Sequence, residues 1–414
     1  MTIRETAHAV WLHDQRVGTL FQRGDHTRFV LQEAYREDPD RAVLGLDFEQ
    51  DLTRRHAAHL RLPPWFSNLL PEGRLRQWIA VDRRVSADRE MELLAQVGHD
   101  LPGAVRVLAD DEPPDLSEWD KAAQQARSPV TTHPAWRFSL AGVGLKFSML
   151  AQGERFTLPA FGEGGDWIVK LPDAHHSQVP SNEYTMMTLA AAVGIDVPDR
   201  RLVHREELTG LPPGTWPGRE EWAFAVRRFD RDENRRPVHI EDLAQVRGFY
   251  PDDKYHGAYE TVAALIYRRR DPAALREFVR RLTFCILISN GDAHLKNWSL
   301  IYPDRRVPTL SPAYDLVATA PYRDHVDEPE NLALKFGRGR RFSAVNATTF
   351  ARLAHKLHAP DLADDLVSES VTVVDRMREH WPRCGEEIAK HPELHRQVAA
   401  SIAEHSMSLL RTGH

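Results

Sequence analysis

The chain has little cysteine, little lysine and no long apolar run. Two cysteines in 414 residues, Cys285 and Cys384, cannot form a disulfide framework. Cys285 lies within the apolar run FCILI, so both are expected to be free thiols of a reducing compartment. The longest uncharged stretch of the apolar regions, Tyr184 to Ile195, falls well short of the roughly 18–20 residues of a membrane helix. The N-terminus, MTIRETAHAVWLHD, has no extended apolar core and no small-residue cleavage site. A secretory signal is therefore not expected, and a cytoplasmic location without membrane association is. Basic excess is missing too. Lys plus Arg is 54 against 60 Asp plus Glu, a net charge of −6, which argues against a protein that coats nucleic acid. Only eight of the 54 basic residues are lysine, leaving 46 arginines. Each lysine invites its own reason, because an ammonium point charge and a guanidinium fork do different chemistry.

What remains is ordinary for a globular chain: 42% apolar and 28% charged residues. At roughly 100–200 residues per domain, the length suggests two or three folding units. AVWL, HDQR and VGTLF read as a hairpin, with TRFVL a third strand. Arg74 to Arg83 and Ser86 to Val97 read as helices, Ser86 as an N-cap and Gly98 as a stop. The acidic, proline-containing DDEPPDLSE marks a linker. From Arg137 short strands follow (RFSLA, LKFSML, RFTLPA, WIVKLP), then a helix from Asn182 to Val193 and the strands RLVHR and WAFAVRRF. Beyond about Asp242 helices dominate, interrupted by the strands WSLIY and VPTL. The expected class is α+β: two lobes around a cleft, preceded by an extra N-terminal α/β module and ending in a helical lobe.

The strongest chemical signal is Ser289 to Asn297, SNGDAHLKN, between an apolar helix and a strand. Asp292 and Asn297 have the spacing of the Asp and Asn of a protein-kinase catalytic loop. There the Asp accepts the proton of the attacking hydroxyl and the Asn binds Mg²⁺. Alone, such a loop is equally a polar turn capping a helix. Asp315, in SPAYDLVAT, lies 18 residues past Asn297 and just beyond a strand–turn–strand, where a kinase places a second metal-binding Asp. Lys170 sits in the apolar strand WIVKLP and calls for an anionic partner; Glu183 on the following helix is the natural one. Two glycines in SLAGVGLK make a backbone-exposing turn of the kind that covers phosphates, with Lys146 just beyond. In the N-terminal module Asn68, Glu72 and Arg74 form no visible catalytic set, and a packing or partner-docking role is expected there.

Together these motifs resemble the HipA family, the kinase toxins of bacterial HipA–HipB toxin–antitoxin pairs. The N-terminal module matches in VGTL, FSNLLPEGRLR and LLAQVGHDLPGAV. The rest matches in SLAGVGLK, WIVKLP, NEYTMMTLAAAVGI, RRFDR, NGDAHLKNWSL, AYDLVAT and LALKFGRGRRF. The resemblance implies a module over residues 1–110, a linker over 111–136, a kinase N-lobe over 137–230 and a helical C-lobe over 231–414. It implies a serine/threonine protein kinase using ATP and Mg²⁺, with Asp292 as catalytic base and Asn297 and Asp315 as metal ligands. Lys170, supported by Glu183, and Lys146 would contact phosphates, beneath a loop holding Ala141, Gly142, Val143 and Gly144. His294 and Lys296 would shape the catalytic loop, and Lys296 could reach the γ-phosphate. Val226 to Phe229, including Arg227 and Phe229, would be the adenine-binding hinge.

The family also implies self-phosphorylation, here on Ser139. It implies a cellular protein target such as an aminoacyl-tRNA synthetase, and a HipB-like helix-turn-helix antitoxin through which alone operator DNA would be met. Two positions depart from the pattern: Gly144, where many members carry Gln, and Arg227, where many carry Glu. Two other readings stay open, a catalytically silent co-repressor and a small-molecule kinase.

Overall fold

The computed structural model describes residues 5–110, 145–159, 164–212, 214–323 and 331–411. The expected linker, and the glycine-turn residues Ser139, Ala141, Gly142, Val143 and Gly144, lie outside them.

The first three strands, β1 (Glu5–Leu12), β2 (Gln15–Arg23) and β3 (His26–Leu31), pair into an antiparallel meander; burial alternates along β3 and is continuous through the middle of β2. β4 (His56–His59) and β5 (Val105–Ala109), not anticipated from sequence, extend it to the order β4-β3-β2-β1-β5. Helices α1 (Gly73–Arg83) and α2 (Glu90–Val97) add Ala80, Met91, Leu93 and Leu94 to its core. α2 starts at Glu90 rather than Ser86. The Ser86 hydroxyl accepts the Asp88 N–H in a turn, 3.2 Å. Glu90 instead turns inward and accepts from Leu62 N at 2.8 Å and Ser67 Oγ at 2.9 Å.

The second sheet has the order β10-β7-β6-β8-β11-β9. It comprises β6 (Lys146–Gln152), β7 (Arg155–Thr157), β8 (Trp167–Lys170), β9 (Arg200–His204), β10 (Leu208–Thr209) and β11 (Trp222–Arg227). Helix α3 (Val179–Ala192) begins three residues earlier than expected, because Pro180 fits its first turn. Met186, Met187 and Leu189 of α3 join the apolar core of the helical lobe rather than that of the sheet.

That lobe is built on α4 (Tyr259–Tyr267), α5 (Pro272–Leu287), α6 (Ala347–Lys356), α7 (Ala363–Cys384) and α8 (Pro392–Leu409). α5 is buried along most of its length, and Asp271 caps it by accepting the Ala274 N–H at 2.9 Å. β12 (His239–Asp242), β13 (Ser299–Tyr302) and β14 (Thr309–Leu310) form a small sheet beside the cleft. Among the described residues no helix is long and apolar enough to cross a membrane. The expected bilobal α+β architecture, with its N-terminal module and helical C-terminal lobe, is thus the one observed.

The N-terminal module packs on both lobes: the Trp78 ring stands edge-on to Phe147 of β6 with 5.8 Å between centroids, and other contacts reach the helical lobe. His239 Nε2 lies 2.8 Å from Leu44 O, and Asn68 Nδ2 donates to Phe249 O at 2.7 Å. Gly103 has φ +75°, and a Cβ there would come within 2.8 Å of Ile240 N. Gly103→Ala combines a left-handed backbone with a clash against backbone, so it should destabilise the fold by about 1–3 kcal/mol. Urea unfolding would measure this, and an unchanged midpoint would refute it.

Candidate active site

The loop from Ser289 to Asn297 is held from all sides. Ser289 takes a left-handed backbone, φ 52°, and its Oγ lies 2.9 Å from His405 Nε2 on α8. Gly291 N donates to Thr319 Oγ1 at 2.8 Å, and a Cβ at Gly291 would come within 3.0 Å of Asn331 O. Asn290 Oδ1 accepts the Asp292 N–H at 3.0 Å. These bonds present a buried Asp292 carboxylate whose Oδ1 accepts from the Tyr255 hydroxyl. His294 is fully buried with its Nε2 3.9 Å from Asp292 Oδ1. Burial, reinforced by the charge of Lys254, pushes the His294 pKa down to about 3, so the ring is neutral near pH 7.

Asn297 Nδ2 donates to Asp292 O at 2.8 Å, leaving the harder Oδ1 as the atom it can offer a cation. Asn297, Tyr314 and Asp315 line one small cavity. Asp315 has a left-handed backbone, φ 55°. Its carboxylate meets the Lys170 ammonium, which also donates to Glu183 Oε1 at 2.5 Å. Lys146 stands directly opposite Lys170 in the β6–β8 register, on the same face of the sheet. Burial alone would raise the Asp315 pKa; the Lys170 and Lys146 charges outweigh it and hold it down at about 2. Glu183 goes the other way. Burial and the Asp315 charge lift it to about 7 against the pull of Lys170.

The Phe229 ring lies 5.5 Å from that of Tyr314, the neighbour of Asp315. Arg227, the departure from the family pattern, turns to Asp199, with Nη1 3.6 Å from its carboxylate. So the structure gathers Asp292, His294, Asn297, Asp315, Lys170, Glu183, Lys146 and Phe229 around one cleft.

Lys296 is placed differently from the expectation that it could reach a phosphate. Its ammonium donates to Asn68 O at 2.9 Å and Oδ1 at 3.1 Å, and lies 3.1 Å from Glu72 Oε1 and 3.5 Å from Asp242 Oδ2. Sequence reasoning missed Tyr255 and Lys254. The scarcity of lysine was the one signal that could have drawn attention to Lys254, whose ammonium donates to Glu72 Oε2 at 2.8 Å.

Among the described residues no group of three or more His, Cys, Asp or Glu side chains could hold a metal ion. An amide oxygen and an ionised carboxylate nevertheless fit a magnesium ion that keeps waters and shares phosphate oxygens. Asn297 and Asp315 supply that donor set.

Fold and cleft define a bilobal kinase-like protein with an added N-terminal module. Residues 8–108 match the family model of the HipA N-terminal domain, and residues 138–381 that of the HipA-like C-terminal domain. The chain belongs to the HipA family. It is 42% identical over 410 residues to the Sinorhizobium fredii protein named "Putative kinase Y4dM", covering 96% of this chain and 95% of that one. It is 28% identical over 292 residues to the serine/threonine-protein kinase toxin HipA of Shewanella oneidensis, covering 62% of this chain and 63% of that one. Its fold matches HipA in the Shewanella oneidensis complex of HipA, HipB and operator DNA, with a TM-score of 0.73, 22% identity and 97% of each chain covered.

The raised Glu183 has a signed consequence. A carboxyl whose folded pKa exceeds its unfolded value contributes stability that is complete below the unfolded value, roughly 4.3. That contribution is lost as pH rises through about 7. The stability advantage of wild type over Glu183→Gln should therefore shrink between pH 5 and pH 8. Urea midpoints at the two pH values test it, and a constant difference would count against the assignment.

Proposed function

We propose that the protein is a serine/threonine protein kinase toxin that transfers the γ-phosphoryl group of ATP to a cellular protein. The observation that carries this reading is Lys170 shared between Glu183 and Asp315 in the cleft that also holds Asp292 and Asn297. In this reading the hydroxyl oxygen of the acceptor bonds to the γ-phosphorus, its proton passes to Asp292, and the β,γ-bridging P–O bond breaks to release ADP. Lys170 and Lys146 bind the phosphates, and Glu183 keeps Lys170 extended. Asn297 and Asp315 would hold Mg²⁺, which neutralises phosphate charge when bound. The segment Val226 to Phe229 receives the adenine.

His294 is neutral and close-packed beside the base, so it shapes the site rather than carrying charge. Ser139 is the proposed site of self-phosphorylation, which would add about −1.5 to −2 charges and so disfavour nucleotide. By likeness to its relatives, the chain pairs with a HipB-like antitoxin, meets operator DNA only through it and acts in the cytoplasm. An aminoacyl-tRNA synthetase is the candidate target. The domain limits are proposed as first read, with the lobes meeting near residue 230.

Incubating the protein with γ-labelled ATP, Mg²⁺ and a cell lysate tests the reading. Wild type should label a protein band and itself, with the self-label mapping to Ser139. Asp292→Ala should lose on the order of 10²–10⁴-fold in transfer, and its toxicity. Equal toxicity of the variant would favour a silent co-repressor, and label only in metabolites would favour a small-molecule kinase.

A further inference from the structure

Two signature motifs of the N-terminal module face two signature motifs of the kinase-like part. At the hinge, Asp100 of DLPGA accepts from Arg228 Nη1 and Arg231 Nη2, each at 2.8 Å, and Gly103 N donates to Asp230 Oδ2 at 2.8 Å. At the catalytic loop, Asn68 and Glu72 of NLLPEG hold Lys296 and Lys254.

The second contact reaches the proposed base. One oxygen of Glu72 takes Lys296, two residues from His294; the other takes Lys254, the neighbour of Tyr255. The Lys254 carbonyl accepts the Leu295 N–H at 3.0 Å, and the Tyr255 hydroxyl donates to Asp292 Oδ1. The Tyr255 ring also stands edge-on to His294, 5.0 Å between centroids. A single carboxylate from the module thus fixes the loop and the segment that buttresses it. Two largely buried ammoniums have few other anions at hand: Lys296 has Asp242 in addition. Without Glu72, Lys254 would lose its carboxylate and face Lys296, which would be left to Asp242 and Asn68; a buried charge stripped of its partner is costly, so both segments would shift.

We propose that Glu72 is a positioning residue for Asp292, acting through Lys296 and through Lys254–Tyr255, so that the N-terminal module sets the placement of the base. This deepens the kinase reading and rests on it for its kinetic part.

The test uses the full chain with Glu72→Gln and Glu72→Asp, and with Tyr255→Phe as a variant that removes only the last link. Hydrogen exchange over 289–297 should quicken on the order of tenfold in Glu72→Gln and be partly restored in Glu72→Asp. Transfer should lose on the order of tenfold or more in kcat in Glu72→Gln and Tyr255→Phe, with KM for ATP within about twofold of wild type. Unchanged loop exchange in folded Glu72→Gln overturns the proposal. So does faster exchange with unchanged kcat. If Glu72→Gln does not fold, unchanged kcat in Tyr255→Phe overturns it. If wild type transfers no phosphate while exchange still follows Glu72, the kinase reading fails and the hold on the loop stands.

Discussion

An ammonium taken out of water must be met by carboxylates, and that constraint organises this molecule. Lys170 projects from a strand, Glu183 from a helix and Asp315 from the loop after a hairpin; the shared charge draws three distant segments to one point. Removing the ammonium would leave two carboxylates facing each other in a poorly solvated cleft, which costs more than the loss of one bond. The pair of shifts in the trio follows: one lysine cannot fully compensate two acids, so Asp315 stays ionised and Glu183 is pushed upward.

The same constraint acts at the module interface with the roles reversed. There one carboxylate, Glu72, serves two ammoniums, and burial is outweighed by Lys296 and Lys254, which hold its pKa well below the usual carboxylate range. A guanidinium version appears at the hinge, where Arg228 and Arg231 share Asp100 and Asp230. The module therefore contacts both the Arg228–Arg231 stretch and Lys296 of the Ser289–Asn297 loop, which packing against one lobe alone would not require.

The bilobal plan, the Asp292–Asn297 loop between helix and strand and the Lys170–Glu183 partnership were legible because each rests on local spacing: a lysine in an apolar strand, an acid on the next helix, a polar loop with a fixed Asp-to-Asn interval. Helix starts were less legible where a side chain deserted its local role. Ser86 looked like a cap, but Glu90 was drawn inward by Leu62, Ser67 and Arg76, and the helix began there. Tyr255 and Lys254 were not legible at all. Their meaning comes from partners 37 and 182 positions away in the chain, and no periodicity encodes such a contact.

The position of α3 bears on how such a cleft could be switched. Many kinase-like proteins control the lysine–glutamate pair by moving the helix that carries the glutamate. Here that helix buries Met186, Met187 and Leu189 in the same apolar core as α5 and α7. Swinging it out would expose side chains each stabilised by roughly 1.5–3 kcal/mol on burial. It would also strip Asn182 of its bonds to Ala318, as donor to its carbonyl at 2.9 Å and as acceptor from its N–H at 3.1 Å. A helix so anchored is a fixed wall rather than a lever. The Lys170–Asp315 contact, in contrast, joins two groups that the proposed nucleotide and its metal would separate, phosphate taking the ammonium and the cation the carboxylate. Under the proposed function, partner exchange at Lys170 would disturb no apolar core and would cost less than moving α3.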